Sequence, residues 1–144
     1  MNYCFRTRLG WVQVSESARG VSAVKFNKAG GGNKLSKNTA KIKDFLAGRK
    51  IDLSKIPLDL AGASSFQRRV WRLAGKIPYG EVRTYGWMAE RLESSPRAVG
   101  QALKKNPVPI IIPCHRVVSS SGIGGYSCGV RFKKKLLDME GALK

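Results

Sequence analysis

Acidic side chains are scarce in this chain. Nine Asp and Glu stand against 27 Lys and Arg, so pairing every acid would still leave eighteen cations without a partner. Ion-pair networks cannot absorb that excess. Its plainest use is a polyanion, and because basic residues fall in every segment they read as a nucleic-acid-binding surface rather than one basic tail. A merely solvated surface is the competing reading. Long apolar runs are missing too. The longest, Val108 to Pro113, is far below the ~20 residues a bilayer requires. The first ten residues carry Arg6 and Arg8 where a signal peptide would need an apolar stretch. An intracellular, cytoplasmic protein with no membrane partner is therefore expected. Cys4, Cys114 and Cys128 form an odd set without CxxC spacing, which argues against a disulfide framework and leaves at least one thiol free. Histidine occurs once, as His115.

What remains is ordinary globular material. Hydrophobic residues make up 42% of 144, enough for one domain or a small lobe joined to a larger one. From Phe5 to Asn27, the strand-like runs Gly10 to Val14 and Val21 to Phe26 flank Glu16 to Gly20 and predict a β-hairpin. Lys28 to Lys34, centred on Gly30-Gly31-Gly32-Asn33, predicts a flexible loop. It is not a phosphate-binding one, since no Lys-Ser/Thr signature follows. Ser36 caps an expected helix that carries Ile42, Phe45 and Leu46 on one face and stops at Gly48. An extended segment from Lys50 to Leu60 leads to Gly62, where a boundary separates residues 1–61 from 62–144.

The second part opens on Ser64 and Gln67 at capping-box spacing, with Phe66, Val70, Leu73 and Ala74 recurring on one helical face. Thr84 caps a short helix that turns Met88, Ala89 and Leu92 inward. Ser95-Pro96 supplies a cap and a first-turn proline for another helix through Lys105. Two short helices across a tight turn predict a helix-turn-helix. The second carries Arg97, Gln101, Lys104 and Lys105, while Ala98, Gly100 and Ala102 keep it slim enough for its backbone to approach a groove. A generic basic surface helix is the alternative.

Asn106 to Val118 then sets Cys114 beside His115 after a stiff apolar run with three prolines. A thiol of ordinary pKa is only a few per cent thiolate at neutral pH, so a nucleophilic cysteine needs a base or a positive field. His115 and the surrounding cations supply both. Neighbouring side chains of an extended segment point to opposite faces, so a proton would pass between them through a water. A buried cysteine beside an incidental histidine remains open, as does a zinc site from Cys4, Cys114, His115 and Cys128.

Pro113-Cys114-His115-Arg116, with Asn106-Pro107 upstream and Gly125-Tyr126-Ser127 downstream, resembles the O6-alkylguanine-DNA alkyltransferases, the methylated-DNA-protein-cysteine methyltransferase family. The resemblance runs from about Phe66 to Gly141. It takes in Phe66 to Trp71, Ile77 to Val82, Thr84-Tyr85, Arg97 to Gly100, the cysteine segment and Leu136 to Gly141, in order. The first lobe is more weakly similar, through its Gly10-Trp11 strand and the pattern from Phe45 to Leu60. The fold implied is α/β (α+β): a small ribonuclease-H-like lobe of β-hairpin and helix over 1–61, then a mainly helical domain over 62–144. That domain would hold a winged helix-turn-helix-like motif and the active cysteine.

The resemblance implies direct reversal of damage in double-stranded DNA. An alkyl group moves from O6-alkylguanine, and from O4-alkylthymine, to Cys114, once per protein molecule, with no metal or organic cofactor and a monomer as the working unit. His115 would act as base through a water, Glu140 would orient and charge the histidine, and Asn106 would tie the two motifs together. Tyr85 would meet the phosphate beside the target and help protonate the leaving guanine. Arg97 would fill the space of the extruded nucleotide, answering a physical need, because O6 inside a duplex is out of a thiol's reach. Ala98 and Gly100 would let the helix into the minor groove, where little sequence is read. Gly86, Ser94 and Ser120 align with phosphate contacts. The carbonyls of Cys114 and Val117 would receive the guanine amino group, Tyr126 would line the base site, and Ser127 would face O6. Two departures bear on which alkyl groups fit: Cys128 stands where glycine is common in the family, and Trp87 stands where a polar residue is frequent. A basic helix-turn-helix module that senses lesions without chemistry is the rival reading.

Overall fold

Side-chain alternation near the start of the chain builds a sheet that buries Phe5, Val12, Val14, Val21 and Val24 on one face. The structure, a computed structural model, describes residues 1–126 and 128–142. Strands β1 (Asn2–Thr7), β2 (Gly10–Ser17) and β3 (Gly20–Phe26) form an antiparallel meander in that order. Register pairs Arg6 with Trp11 and Phe5 with Val12, and a bulge falls at Ser15/Glu16. The expected hairpin is thus β2 and β3 of a three-stranded sheet, to which β1 adds on the β2 side. Strand β1 escapes a hydrophobic pattern because it lies at the sheet edge and fully buries only Phe5.

Two further features of this unit differ from expectation. The Gly30–Asn33 segment is docked rather than loose: Cys4 N donates to Gly32 O (3.0 Å), Gly32 N to Asn2 O (2.9 Å), and Gln13 Nε2 to Gly30 O (2.9 Å). Gly31 has φ +115°, and a Cβ there would lie 2.5 Å from Asn2 O, so the glycine permits the close approach. Pro107–Ile111 also belongs to this unit, which comprises Met1–Ala61 and that segment. Pro107 O accepts from Val24 N at 2.9 Å. Helix α1 (Lys37–Leu46) is capped by Ser36, whose side chain accepts from Thr39 N, and it buries Ile42, Phe45 and Leu46.

The second unit comprises Gly62–Asn106 and Ile112–Lys144. Helix α2 (Ser65–Ala74) begins with the Ser64/Gln67 capping box and buries Val70, Trp71 and Ala74. Trp71 takes a core place that the periodicity gave to Leu73, because its Nε1 donates to Ala102 O at 2.9 Å and its ring can then be buried. Strand β4 (Arg83–Thr84) pairs in parallel with β5 (Val117–Val118). Helix α3 (Tyr85–Arg91) is capped by Thr84, and α4 (Pro96–Lys104) by Ser95 with Pro96 in its first turn. The turn between them, Leu92 to Ser95, passes through Glu93 at φ 51°. Helix α5 (Val130–Met139) closes the unit and buries Lys133, Leu136 and Leu137. Among the described residues, no helix is long and apolar enough to cross a membrane.

Candidate active site

In the second unit a cavity of about 430 Å³ is lined by Tyr85, Gly100, Leu103, Lys104, Cys114, Gly125, Tyr126 and Val130. Cys114 enters it from a 3-10 turn, Cys114–Arg116, not from the extended segment that the prolines suggest. Pro113 starts the turn, and its carbonyl accepts from Arg116 N at 3.0 Å. At three residues per turn, successive side chains splay apart. Cys114 lines the cavity while His115 and Arg116 both reach Glu140, at the end of α5.

Glu140 is the hub. Its Oε2 lies 2.8 Å from His115 Nε2, and Arg116 grips the carboxylate with both Nε (2.9 Å to Oε1) and a terminal nitrogen (2.9 Å to Oε2). The other Arg116 nitrogen donates to Ile77 O at 2.9 Å. Burial alone would raise the Glu140 pKa, but the hydrogen bonds from His115 and Arg116, with the Arg116 charge, outweigh it and hold it at about 2. Burial lowers the His115 pKa against the pull of that carboxylate, so the ring is neutral. A neutral ring beside a carboxylate carries its proton on Nε2 and leaves Nδ1 as an acceptor. Nδ1 is buried with no hydrogen-bond partner among the described residues.

The Cys114 thiol is 5% exposed, and burial raises its pKa to about 11. Hydrogen bonding with Asn106 and the charge of Lys133 work the other way. Asn106, itself buried, donates from Nδ2 to Ile112 O at 2.9 Å and so fixes the segment leading into the turn. Lys133 Nζ donates to Val117 O (2.6 Å) and Gly125 O (2.9 Å) and lies 3.4 Å from the Tyr85 hydroxyl. Burial brings the Lys133 pKa down to about 8. Tyr85 Oη donates to Gly125 O at 3.3 Å. A Cβ at Gly124, φ +79°, would lie 2.9 Å from the Tyr85 ring, so glycine there makes room for the phenol. Among the described residues the buried Tyr126 hydroxyl has no partner in hydrogen-bonding geometry, and burial together with the nearby Cys114 sulfur raises its pKa.

The structure therefore brings Asn106, Cys114, His115, Glu140, Tyr85 and Tyr126 into one neighbourhood. Arg97, Ser94, Gly86 and Ser120 stand exposed on the surface of the same unit, and Ala98 and Gly100 are half-buried on α4. Val117 O already accepts from Lys133, which leaves it one lone pair. Trp87 is not among the residues lining the cavity; its ring is stacked under Arg91 (3.7 Å) and Arg83 (5.4 Å). Ser127 lies outside the described residues. Cys128 is half-buried, and its sulfur is close enough to Cys114 to raise the latter's pKa. Among the described residues, no group of three or more His, Cys, Asp or Glu is placed to hold a metal ion.

Two participants carried no role in the sequence. Arg116 sits inside the quoted motif, yet a guanidinium next to a histidine reads as one more basic residue. Lys133 had a visible signal: with Leu136, Leu137 and Glu140 it falls on one helical face, a charged residue in a core position.

A family model described as 6-O-methylguanine DNA methyltransferase, DNA binding domain, matches residues 65–142. A methylated-DNA--protein-cysteine methyltransferase of Metallosphaera sedula is 48% identical over 103 residues, which are 72% of this chain and 65% of that protein, just under two thirds of its length. One of Sulfolobus acidocaldarius is 39% identical over 142 residues, covering 95% of this chain and 90% of that protein. Among solved structures, Mycobacterium tuberculosis OGT in complex with DNA superposes with a TM-score of 0.85 at 29% identity, over 98% of this chain and 92% of that one. The O6-methylguanine-DNA methyltransferase of Pyrococcus kodakaraensis gives 0.82 at 32% identity, over 98% and 99%.

Proposed function

Because the chain belongs to the 6-O-methylguanine DNA methyltransferase family, we propose that it repairs DNA by moving the alkyl group of O6-alkylguanine onto Cys114. The observation that carries this reading is a cavity-lining thiol in the same turn as a neutral histidine locked to a buried carboxylate. Cys114 is protonated at rest, since burial holds its pKa near 11. Its proton has one evident destination: the unoccupied lone pair of His115 Nδ1, reached through a water. Glu140 then stabilises the imidazolium that forms. The Cys114 sulfur attacks the alkyl carbon in line, an S–C bond forms and the C–O6 bond breaks. The bonding pair stays on guanine O6, and the purine takes up a proton from Tyr85, which Lys133 can replenish across 3.4 Å.

The base must leave the duplex to reach the cavity, at a cost of a few kcal/mol. Arg97, exposed near the start of α4, would fill the gap, and Gly100 would let that helix lie close to the minor groove in a winged helix-turn-helix-like mode. The residues assigned to chemistry and to DNA all fall within 62–144, which we take as the working domain of a monomer. A thioether has no leaving group that water readily displaces, so each molecule acts once.

The test is mass spectrometry of the peptide containing Cys114 after incubation with duplex DNA carrying isotopically labelled O6-methylguanine. One labelled methyl per protein is expected. Demethylated DNA with unmodified Cys114 would overturn the proposal, as would a Cys114→Ala protein that still repairs. That variant should keep DNA binding and lose transfer, whereas a lesion-sensing module would be indifferent to the change.

A further inference from the structure

The first unit holds an open groove of about 600 Å³ that the alkyl-transfer reading leaves unused. Its walls come from β1, the start of β2, helix α1 and the docked segment Gly31 to Asn33. Trp11 is 41% exposed there, a large apolar surface left in water. Arg6 is its direct cross-strand partner and therefore stands on the same face of the sheet. Lys43 reaches the groove from α1. No acidic residue lines it, and among the described residues neither Arg6 nor Lys43 forms an ion pair. The groove thus combines an accessible aromatic plane, two unneutralised cations and a fixed backbone wall.

A nucleobase with its flanking phosphates is the ligand that uses all three, since bases stack on aromatic side chains while Lys and Arg track the backbone. A second copy of the chain is disfavoured, because each copy carries a net charge of +18. We propose that this groove is a separate contact for single-stranded DNA, with an unpaired base on Trp11 and phosphates on Arg6 and Lys43. The choice of DNA over other single strands rests on the family reading above; the stacking chemistry does not.

The test uses the whole chain and a lesion-free oligothymidylate that carries 5-iodo-deoxyuridine. Irradiation should cross-link it to the peptide containing Trp11. Trp11→Ala should weaken binding of the same strand about tenfold or more, as expected for loss of one stacked base, with the melting temperature retained. Arg6→Ala with Lys43→Ala should lower the log-log salt slope by about 1.4, or ~0.7 for each phosphate contact on a single strand. Cross-links confined to residues 62–142, with unchanged affinity in the Trp11 variant, would overturn the proposal. If only the Arg6/Lys43 variant weakened, the groove would be a plain polyanion patch and the base site would be refuted. Preference for oligouridylate would refute the commitment to DNA. Labelled-methyl transfer to Cys114 is measured on the same variants and should stay intact, so failure here is separable from failure of the alkyl-transfer reading.

Discussion

The two units bury polar groups of different kinds. Among the described residues the first buries Gln13 and Thr39, both neutral and both satisfied by near neighbours, Gly30 O and the Ser36 hydroxyl. The second buries one neutral amide, Asn106, and five ionisable groups, Cys114, His115, Arg116, Lys133 and Glu140. Taking such groups out of water costs several kcal/mol per ion unless partners compensate, and a well-packed apolar set would fold at least as well. Folding alone explains the first set and leaves the second without a reason. Burial and close partners shift the pKa values of Cys114, His115, Lys133 and Glu140, and Cys114 lines the cavity, a combination that chemistry at such a site uses. The contrast between the units therefore marks the second as the candidate site without reference to any relative.

The sharpest way to break that contrast is to remove the hub. Glu140→Gln leaves the Arg116 guanidinium, 9% exposed, without its counter-charge. Removing one partner of a buried pair costs about 3 to 5 kcal/mol, read as a fall in the urea midpoint. The same change should slow transfer, because His115 loses the group that stabilises its protonated form. A variant as stable as the parent would show that the second unit's buried charges are not coupled as the geometry indicates.

Acid titration measures the same coupling without mutation. The Glu140 pKa is held near 2 against an ordinary 4.5, so its stabilising contribution is present above 4.5 and is lost as the pH falls toward 2. That gap corresponds to roughly 3 kcal/mol. His115, which burial holds below its usual 6.5, adds in the same direction and starts the decline nearer pH 6.5. Thermal melts from pH 7 to 3 should show this loss, and the Glu140→Gln protein should show a flatter curve.

Lys133→Met comes next in size. The ammonium lowers the Cys114 pKa and lies 3.4 Å from the Tyr85 hydroxyl, behind it in the proposed route for the proton. Its removal should slow transfer by about a hundredfold, the lower end for a positioned proton donor. It should also move the alkaline limb of the pH–rate profile upward. A merely structural lysine would reduce stability and leave that profile where it was.

How far the sequence disclosed this arrangement depended on whether the signal was local. Caps at Ser36, Ser64, Thr84 and Ser95 could be read directly, since each depends on a residue within one turn. So could the adjacency of Cys114 and His115 in the chain. Strand β1 was hidden because an edge strand with one buried side chain has no pattern. The Gly30–Asn33 segment reads as loose on composition and is held by β1, a partner no local window contains. Arg116 and Lys133 were missed for the same reason: their roles arise from Glu140, Val117 and Gly125, which lie distant along the chain.

The smallest effect provides the control for the comparison. Ser64→Ala removes an exposed cap in the second unit and should cost about 1 kcal/mol. Gln67 can still accept from the Ser64 backbone through its Oε1, which tempers the loss. Ser36→Ala removes a cap in the first unit but also takes away a hydrogen bond, 3.0 Å long, to the hydroxyl of fully buried Thr39. It should cost nearer 2 kcal/mol, because an orphaned buried hydroxyl adds its desolvation to the lost cap. Neither change should alter methyl transfer per folded molecule. Two urea titrations and two transfer assays decide the matter. If Ser64→Ala slowed transfer at full stability, helix α2 would have to be counted with the chemistry, and the line between ordinary folding and the charged cluster would need to be redrawn inside the second unit.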